Sequence, residues 1–149
     1  VSKNVFNFFV DDPSNNDEKF QRIRIRKLLS KLENEGLDKD KFYNTIKNLK
    51  YSNETIMFYV ERNLQKNSFY SEKNNQTILN NDFFKQPYEV VFRSLSDIIK
   101  KIGKNYYSVR GKKLANIIEG ILKKSFFKAT LGGCIIKKVN HTTVISKEH

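Results

Sequence analysis

Apolar residues recur at three- and four-residue steps through most of this chain and switch to short contiguous or alternating runs near its end. That switch predicts helices followed by strands. Ile25, Leu28, Leu29 and Leu32 would form the inward face of a helix over 16–35, preceded by the polar break Asp11-Asp12-Pro13-Ser14-Asn15. Pro13 disfavours helix at Asp12, and Asn15 with Glu18 has N-cap and N3 spacing. Gly36 is the natural residue to follow the last turn. Phe42, Ile46, Leu49, Ile56, Val60 and Leu64 then predict a long second helix over 38–67, its stripe interrupted at Asn53.

Residues 71–81 are rich in Asn, Lys and Ser and read as a loop or linker, with an internal boundary there. A third helix should carry Pro87 in its first turn, Val91, Leu95, Ile98 and Ile102 inward, and Gly103 at its end. A fourth, over 109–124, turns Leu114, Ile117, Ile118 and Ile121 inward. Three short strands follow, 126–131, 134–139 and 142–146, joined by Gly132-Gly133 and Asn140-His141 as hairpin turns. Val5–Val10 is a short aromatic run before the first break. The pattern as a whole predicts a mainly α, α+β chain, with segments 1–35, 36–80 (a helical connector) and 81–149 (a small helical domain ending in an antiparallel β-meander).

Composition adds a partner class. The 149 residues include 28 Lys and Arg against 16 Asp and Glu, a net charge of +12. Residues 85–128 hold eleven of those cations and three of the anions, so most of the excess lies in under a third of the chain. Such concentration favours a polyanion, nucleic acid before an acidic membrane surface, because no helix joins a broad apolar face to a basic one. Within that segment Arg93, Lys100, Lys101 and Lys104 belong to the third helix and its end, while Arg110, Lys112 and Lys113 open the fourth. Tyr106 and Tyr107 sit between them, able to stack on unpaired bases or to close the core at a helix junction. The second role is expected for at least one.

The lone cysteine, Cys134, rules out an internal disulfide and a multi-cysteine zinc site, and fits a reducing compartment. It is expected to be a small core residue. No apolar run approaches membrane-spanning length, and no signal-peptide pattern is visible. His141 and His149 lack ligand partners in sequence, Asp11-Asp12 reads as a solvated turn, and no metal site is expected. Arg110-Gly111-Lys112-Lys113 lacks the glycine spacing of a phosphate loop. Phe8, Phe9, Phe83 and Phe84 are expected in the core.

The segment Asp12-Pro13-Ser14-Asn15 through Arg22-Ile23-Arg24-Ile25-Arg26 is the most informative in the chain. On a helix Arg22 and Arg26 share a face, and two neighbouring guanidiniums are relieved by a bidentate anion between them. The segment resembles the Asp-x-Ser-Asn and Arg-x-x-x-Arg signature that closes the catalytic domain of tRNA(Ile)-lysidine synthases. The likeness continues through Leu28-Leu29 and Gly36-Leu37. It returns in Thr130-Leu131-Gly132-Gly133-Cys134 and Ser146-Lys147-Glu148, which resemble the tail of the alphaproteobacterial branch. Ile23 departs from the pattern, since many members carry Asn there.

The resemblance, and nothing in composition or spacing, implies an ATP-dependent carbon–nitrogen ligase of the cytoplasm. With ATP (and Mg) such an enzyme adenylates C2 of the wobble cytidine of the minor isoleucine tRNA with a CAU anticodon, and free lysine displaces AMP. The nucleotide loop of that family, Ser-Gly-Gly-x-Asp-Ser, is absent from this sequence, so ATP would bind mainly elsewhere. By the same resemblance the chain is expected to be a C-terminal portion, inactive alone, with no catalytic residue of its own. Residues 1–35 would be the edge of the catalytic domain and 81–149 a small tRNA-binding domain. Asn15, Arg22 and Arg26 would lie at the active-site rim or on tRNA, and Arg93, Lys100, Lys101, Lys104, Arg110, Lys112 and Lys113 on the tRNA backbone. The alternative reading is a free-standing basic RNA-binding module without catalysis.

Overall fold

The computed structural model describes residues 19–109 and 111–148. It divides into two compact units at Leu49/Lys50.

In the first unit, helix α1 spans Gln21–Asn34. It starts later than the sequence suggests, because Lys19 and Phe20 form a turn before it and Phe20 offers no capping side chain. The Asn15–Glu18 cap lies outside the described residues, as do Val5–Val10, Phe8 and Phe9. The end of α1 is as expected. Gly36 adopts φ 97°, with its N–H on the Glu33 carbonyl at 2.9 Å and Leu37 N–H on the Leu32 carbonyl at 2.8 Å, a Schellman closure. The inward face is not as expected. Ile23 is buried, while Ile25, Leu28 and Leu32 are exposed and Leu29 is half-buried. Period alone places the stripe on one side of a helix; which side is covered depends on what lies beside it.

Helix α2 spans Lys39–Asn67 and crosses the division between the units. Asp38 Oδ1 accepts from the N–H groups of Asp40 (2.9 Å) and Lys41 (3.1 Å), which caps its start. Its predicted stripe splits by environment. Phe42, Ile46 and Leu49 are exposed, Ile56 and Leu64 are half-buried, and Val60 is fully buried.

The second unit is an antiparallel sheet with two helices against it. Its elements are β1 (Ser68–Ser71), β2 (Gln76–Leu79), a 3-10 helix (Asn81–Lys85), α3 (Tyr88–Gly103), α4 (Gly111–Lys123), β3 (Phe126–Leu131), β4 (Cys134–Val139) and β5 (Thr142–Lys147). The predicted meander β3–β4–β5 is present with two-residue turns, Leu131 opposite Cys134 and Val139 opposite Thr142. Gly132 (φ 60°) and Gly133 (φ 70°) both occupy the left-handed region that such a turn demands.

The reading of 71–81 as a loop or linker is overturned. That stretch contains β2, which pairs with β1 and, across more than sixty residues, with β5. The sheet therefore has five strands in the order β1-β2-β5-β4-β3. Two four-residue strands carry too little alternation to be legible, and the pairing that stabilises β2 is non-local.

Helix α3 packs on β4 and β5, and α4 on β3. The core is built from Leu95, Ile98, Ile99 and Ile102 of α3, Leu114, Ile118 and Ile121 of α4, and Leu79, Ile136 and Ile145 of the sheet. Each fully buried aliphatic side chain contributes roughly 1.5–3 kcal/mol. Phe83 joins this core fully buried and Phe84 packs partly buried against it. Pro87 stands one residue earlier than expected, at the N-cap of α3. Cys134 is buried, its Sγ 3.4 Å from the Ile99 carbonyl.

Candidate nucleic-acid interface

Helix α3 ends in a cationic turn. Lys100 and Lys101 occupy its last turn, where positive charge complements the helix dipole. Gly103 is the last helical residue, but it is not the left-handed cap. That role falls to Lys104, at φ 53°. Gly103 is there for a different reason: a Cβ on it would lie 2.0 Å from the Gly132 carbonyl oxygen, in the backbone of the β3–β4 turn. The turn and the helix end therefore touch through two glycines.

Asn105 seals the contact. Its Nδ2 donates to the Gly132 carbonyl at 2.5 Å, and its backbone N–H donates to the Lys100 carbonyl at 3.1 Å. Val109 and Ile99 close on Gly132 from other sides, so a Cβ there would meet either at under 3 Å. The Leu131-Gly132-Gly133-Cys134 run thus has a structural explanation. Two glycines make a tight turn that fits beneath the α3–α4 connection, and Cys134 enters the core beside it.

With the junction closed by Asn105, Val109 and Gly132, the neighbouring tyrosines are not needed in the core. The expectation that at least one caps it is overturned. Tyr106 is 84% exposed and Tyr107 79%, their rings edge to face at 4.9 Å. Tyr107, Ser108 and Lys113 line a cleft of about 260 Å³ together with Asn105, Val109, Leu131 and Gly132.

Helix α4 begins with Lys112 and Lys113 and has no acidic residue in its first turn. The helix dipole is already positive there, so two ammonium groups add unfavourable charge to a favourable anion site. Lys101 lies with its Nζ 5.5 Å from the Tyr70 ring centroid. Lys100, Lys101 and Lys104 thus precede the α3–α4 connection and Lys112 and Lys113 follow it, with two solvent-facing aromatic rings between them in sequence; Lys113 shares the cleft of Tyr107, while Lys101 faces Tyr70. Asp97, near Lys100, is the acid of this part of α3. Burial pushes its carboxyl above the ordinary range, while Lys100 and Arg93 oppose that shift.

Arg93 is placed differently from the other cations. Its Nε donates to Glu89 at 2.7 Å and its Nη1 to Asn53 Oδ1 at 2.5 Å, so it braces α3 against α2. The Asn that interrupts the α2 stripe is thus the acceptor for this arginine. Arg110 and Asn15 lie outside the described residues. Arg22 and Arg26 belong to the first unit; both are exposed on α1, with no acidic residue in its first turn. Arg22 stands 5.6 Å over the Phe20 ring, and Arg24, between them in sequence, donates to the Lys19 carbonyl at 3.0 Å.

Among the described residues no three His, Cys, Asp or Glu side chains converge as metal ligands. No helix among them is long and apolar enough to cross a membrane.

No protein-family model matches the chain. Three curated relatives do. It is 27% identical over 141 residues to the tRNA(Ile)-lysidine synthase of Wolbachia pipientis wMel, covering 94% of this chain and 33% of that protein. It is 28% identical over 134 residues to that of Anaplasma marginale (strain St. Maries), covering 87% and 28%. The enzyme of Wolbachia sp. subsp. Brugia malayi (strain TRS) is 26% identical over 141 residues. The chain is related to the tRNA(Ile)-lysidine synthases. Similarity to these lysidine synthases runs through nearly all of its length, yet the chain spans about a third of theirs. The relatives are named for an isoleucine tRNA and for the synthesis of lysidine.

The sequence singled out most cations of the junction but missed a further basic group on α2 and the 3-10 helix, Arg62, Lys66 and Lys85. The four-residue spacing of Arg62 and Lys66 was the available signal; their convergence with Lys85 is a tertiary fact.

Proposed function

We propose that this chain is a tRNA-contacting part of a tRNA(Ile)-lysidine synthase, with the α3–α4 junction as a seat for the RNA backbone. The observation that carries the proposal is the junction itself. Lys104, Lys112 and Lys113 form no ion pair with another described residue, and they flank in sequence two rings that the fold leaves in solvent, Lys113 lining one cleft with Tyr107. Lysines neutralise phosphates, and exposed tyrosines stack on splayed bases. The relatedness to lysidine synthases names the RNA.

In the intact enzyme, ATP with Mg would activate C2 of the wobble cytidine and the ε-amine of free lysine would displace AMP. The described residues do not fit that nucleotide: they present no metal-ligand cluster, and the glycine before Lys112 stands alone. No step of the ligation is therefore assigned to them. Their part is positioning. Holding the substrate away from the reacting atom lowers the entropic cost of reaction. In this reading residues 81–149 form the tRNA-binding domain, and β1–β2 joins it through the pairing of β2 with β5. Arg22 and Arg26 would meet phosphate or the anticodon loop at the rim of the active site.

The test is binding of the 149-residue chain to a minor isoleucine tRNA transcript and to an elongator methionine tRNA across a salt series. Tighter, salt-sensitive binding to the isoleucine transcript supports the proposal. Equal salt-sensitive binding to both supports the free-standing basic module instead, and no binding to either removes both.

A further inference from the structure

The C-terminal half of α2 forms one wall of a second basic concavity, separate from the α3–α4 junction and wholly within the second unit. Tyr59, Arg62 and Lys66 lie at three- and four-residue steps and share a face of the helix. The 3-10 helix supplies the other wall with Asp82 and Lys85, and the cleft between them measures about 360 Å³. That is within the roughly 300–1,000 Å³ range of ligand-binding pockets.

The floor is polar but fully occupied with itself. Asn63 is buried, and its Nδ2 donates to the Phe83 carbonyl (3.4 Å) and to Ser94 Oγ (3.3 Å). Asn67 Nδ2 donates to Asn63 Oδ1 at 2.9 Å, and Asn80 donates from its backbone N–H to the Asn67 carbonyl at 3.1 Å. Among the described residues no buried side-chain polar atom lacks a partner. This ladder fixes the walls and leaves recognition to the charged groups above it.

Those groups are unbalanced. Lys85 is paired with Asp82 at 2.7 Å, whereas Arg62 and Lys66 meet no carboxylate among the described residues. The helix C-terminus favours a cation at Lys66. It does nothing for Arg62 a turn earlier, and two like charges four residues apart repel. A phosphate between guanidinium and ammonium relieves that repulsion, and guanidinium geometry suits it.

We infer that this cleft takes a phosphate of an RNA backbone, with Arg62 and Lys66 as its donors and the Tyr59 ring beside the attached nucleoside. The inference rests on the proposed RNA-binding function and adds to it a second seat, on the α2 side of the unit. It is tested with the 149-residue chain and a tRNA transcript, comparing R62Q/K66Q with K123Q/K124Q. The second variant removes the same charge at the end of α4, where Lys123 pairs with Glu119. Each lost phosphate contact reduces the slope of log affinity against log salt by roughly 0.7–0.9. Loss of that one contact should therefore leave the cleft variant with a slope shallower by roughly 0.7–0.9, while the control keeps that of the unaltered chain. Equal slopes in all three proteins, or equal changes in the two variants, overturn the inference and leave RNA binding standing. Failure of the unaltered chain to bind RNA at all overturns both. Thermal unfolding of each variant checks that the fold is retained, and Y59L, which alters no charge, should lower affinity without changing the slope.

Discussion

Gly103 and Gly132 meet so closely that a single methyl group cannot be placed between them: a Cβ on Gly103 would stand 2.0 Å from the Gly132 carbonyl oxygen. The obstacle is backbone, which cannot rotate aside. Gly103→Ala should therefore destabilise the chain by roughly 1–3 kcal/mol, the usual cost of overpacking. Denaturant unfolding would read this as a lower midpoint at unchanged slope. An unaltered midpoint would mean that the helix end and the hairpin turn are not in contact.

The cations near α3 should separate into two classes. Lys112→Gln with Lys113→Gln should weaken tRNA binding and make it less salt-dependent, with little change in stability, because both side chains are exposed. Arg93→Ala should do the reverse. It removes the bonds to Glu89 and Asn53, and charged hydrogen bonds of this kind are worth roughly 1.5–3 kcal/mol at most, less at a half-exposed site. Paired melting and binding curves on the two variants would show the crossing pattern, or its absence.

Cys134 gives a pH dependence with a definite sign. Burial pushes its thiol above the ordinary range; Glu148 adds to that, and a backbone hydrogen bond at Gly103 opposes it. The folded state thus holds the proton more tightly than the unfolded chain. The associated stability is present below the unfolded thiol pKa of about 8.5 and is lost as pH rises toward the folded value. Unfolding free energy should therefore fall above about pH 8.5, and Cys134→Ala should flatten that limb. A Cys134→Ala protein with an undiminished alkaline decline would place the effect on another group.

Arg22 and Arg26 are predictions for the full-length enzyme. Glu in place of either should lower use of the isoleucine tRNA, read as a loss in kcat/KM for tRNA at unchanged KM for lysine. Arg24→Gln offers a contrast, since that side chain donates to its own chain at Lys19. Undiminished tRNA use in both reversal variants would remove Arg22 and Arg26 from the RNA surface.

Much of the architecture was legible because it is local. Three- and four-residue apolar steps located the four α-helices of the described residues, Gly36 marked the Schellman closure of α1, and Gly132-Gly133 marked a turn whose two residues both need positive φ. These features come from the conformational limits of individual residues and from helical periodicity, which the sequence carries on its own. It also determined the basic character of 85–128 and the likeness to lysidine synthases.

Tertiary structure decided what depends on distant partners. It made 76–79 a strand within a five-stranded sheet, because β2 is stabilised by β5 rather than by its own composition. It buried Ile23 in preference to the Ile25–Leu32 stripe, turned Arg93 from a free cation into a brace, and left Tyr106 and Tyr107 in solvent once Asn105 and Gly132 had closed the junction. It brought Arg62, Lys66 and Lys85 to one cleft. Periodicity states which residues share a face; only the packed fold states what that face meets.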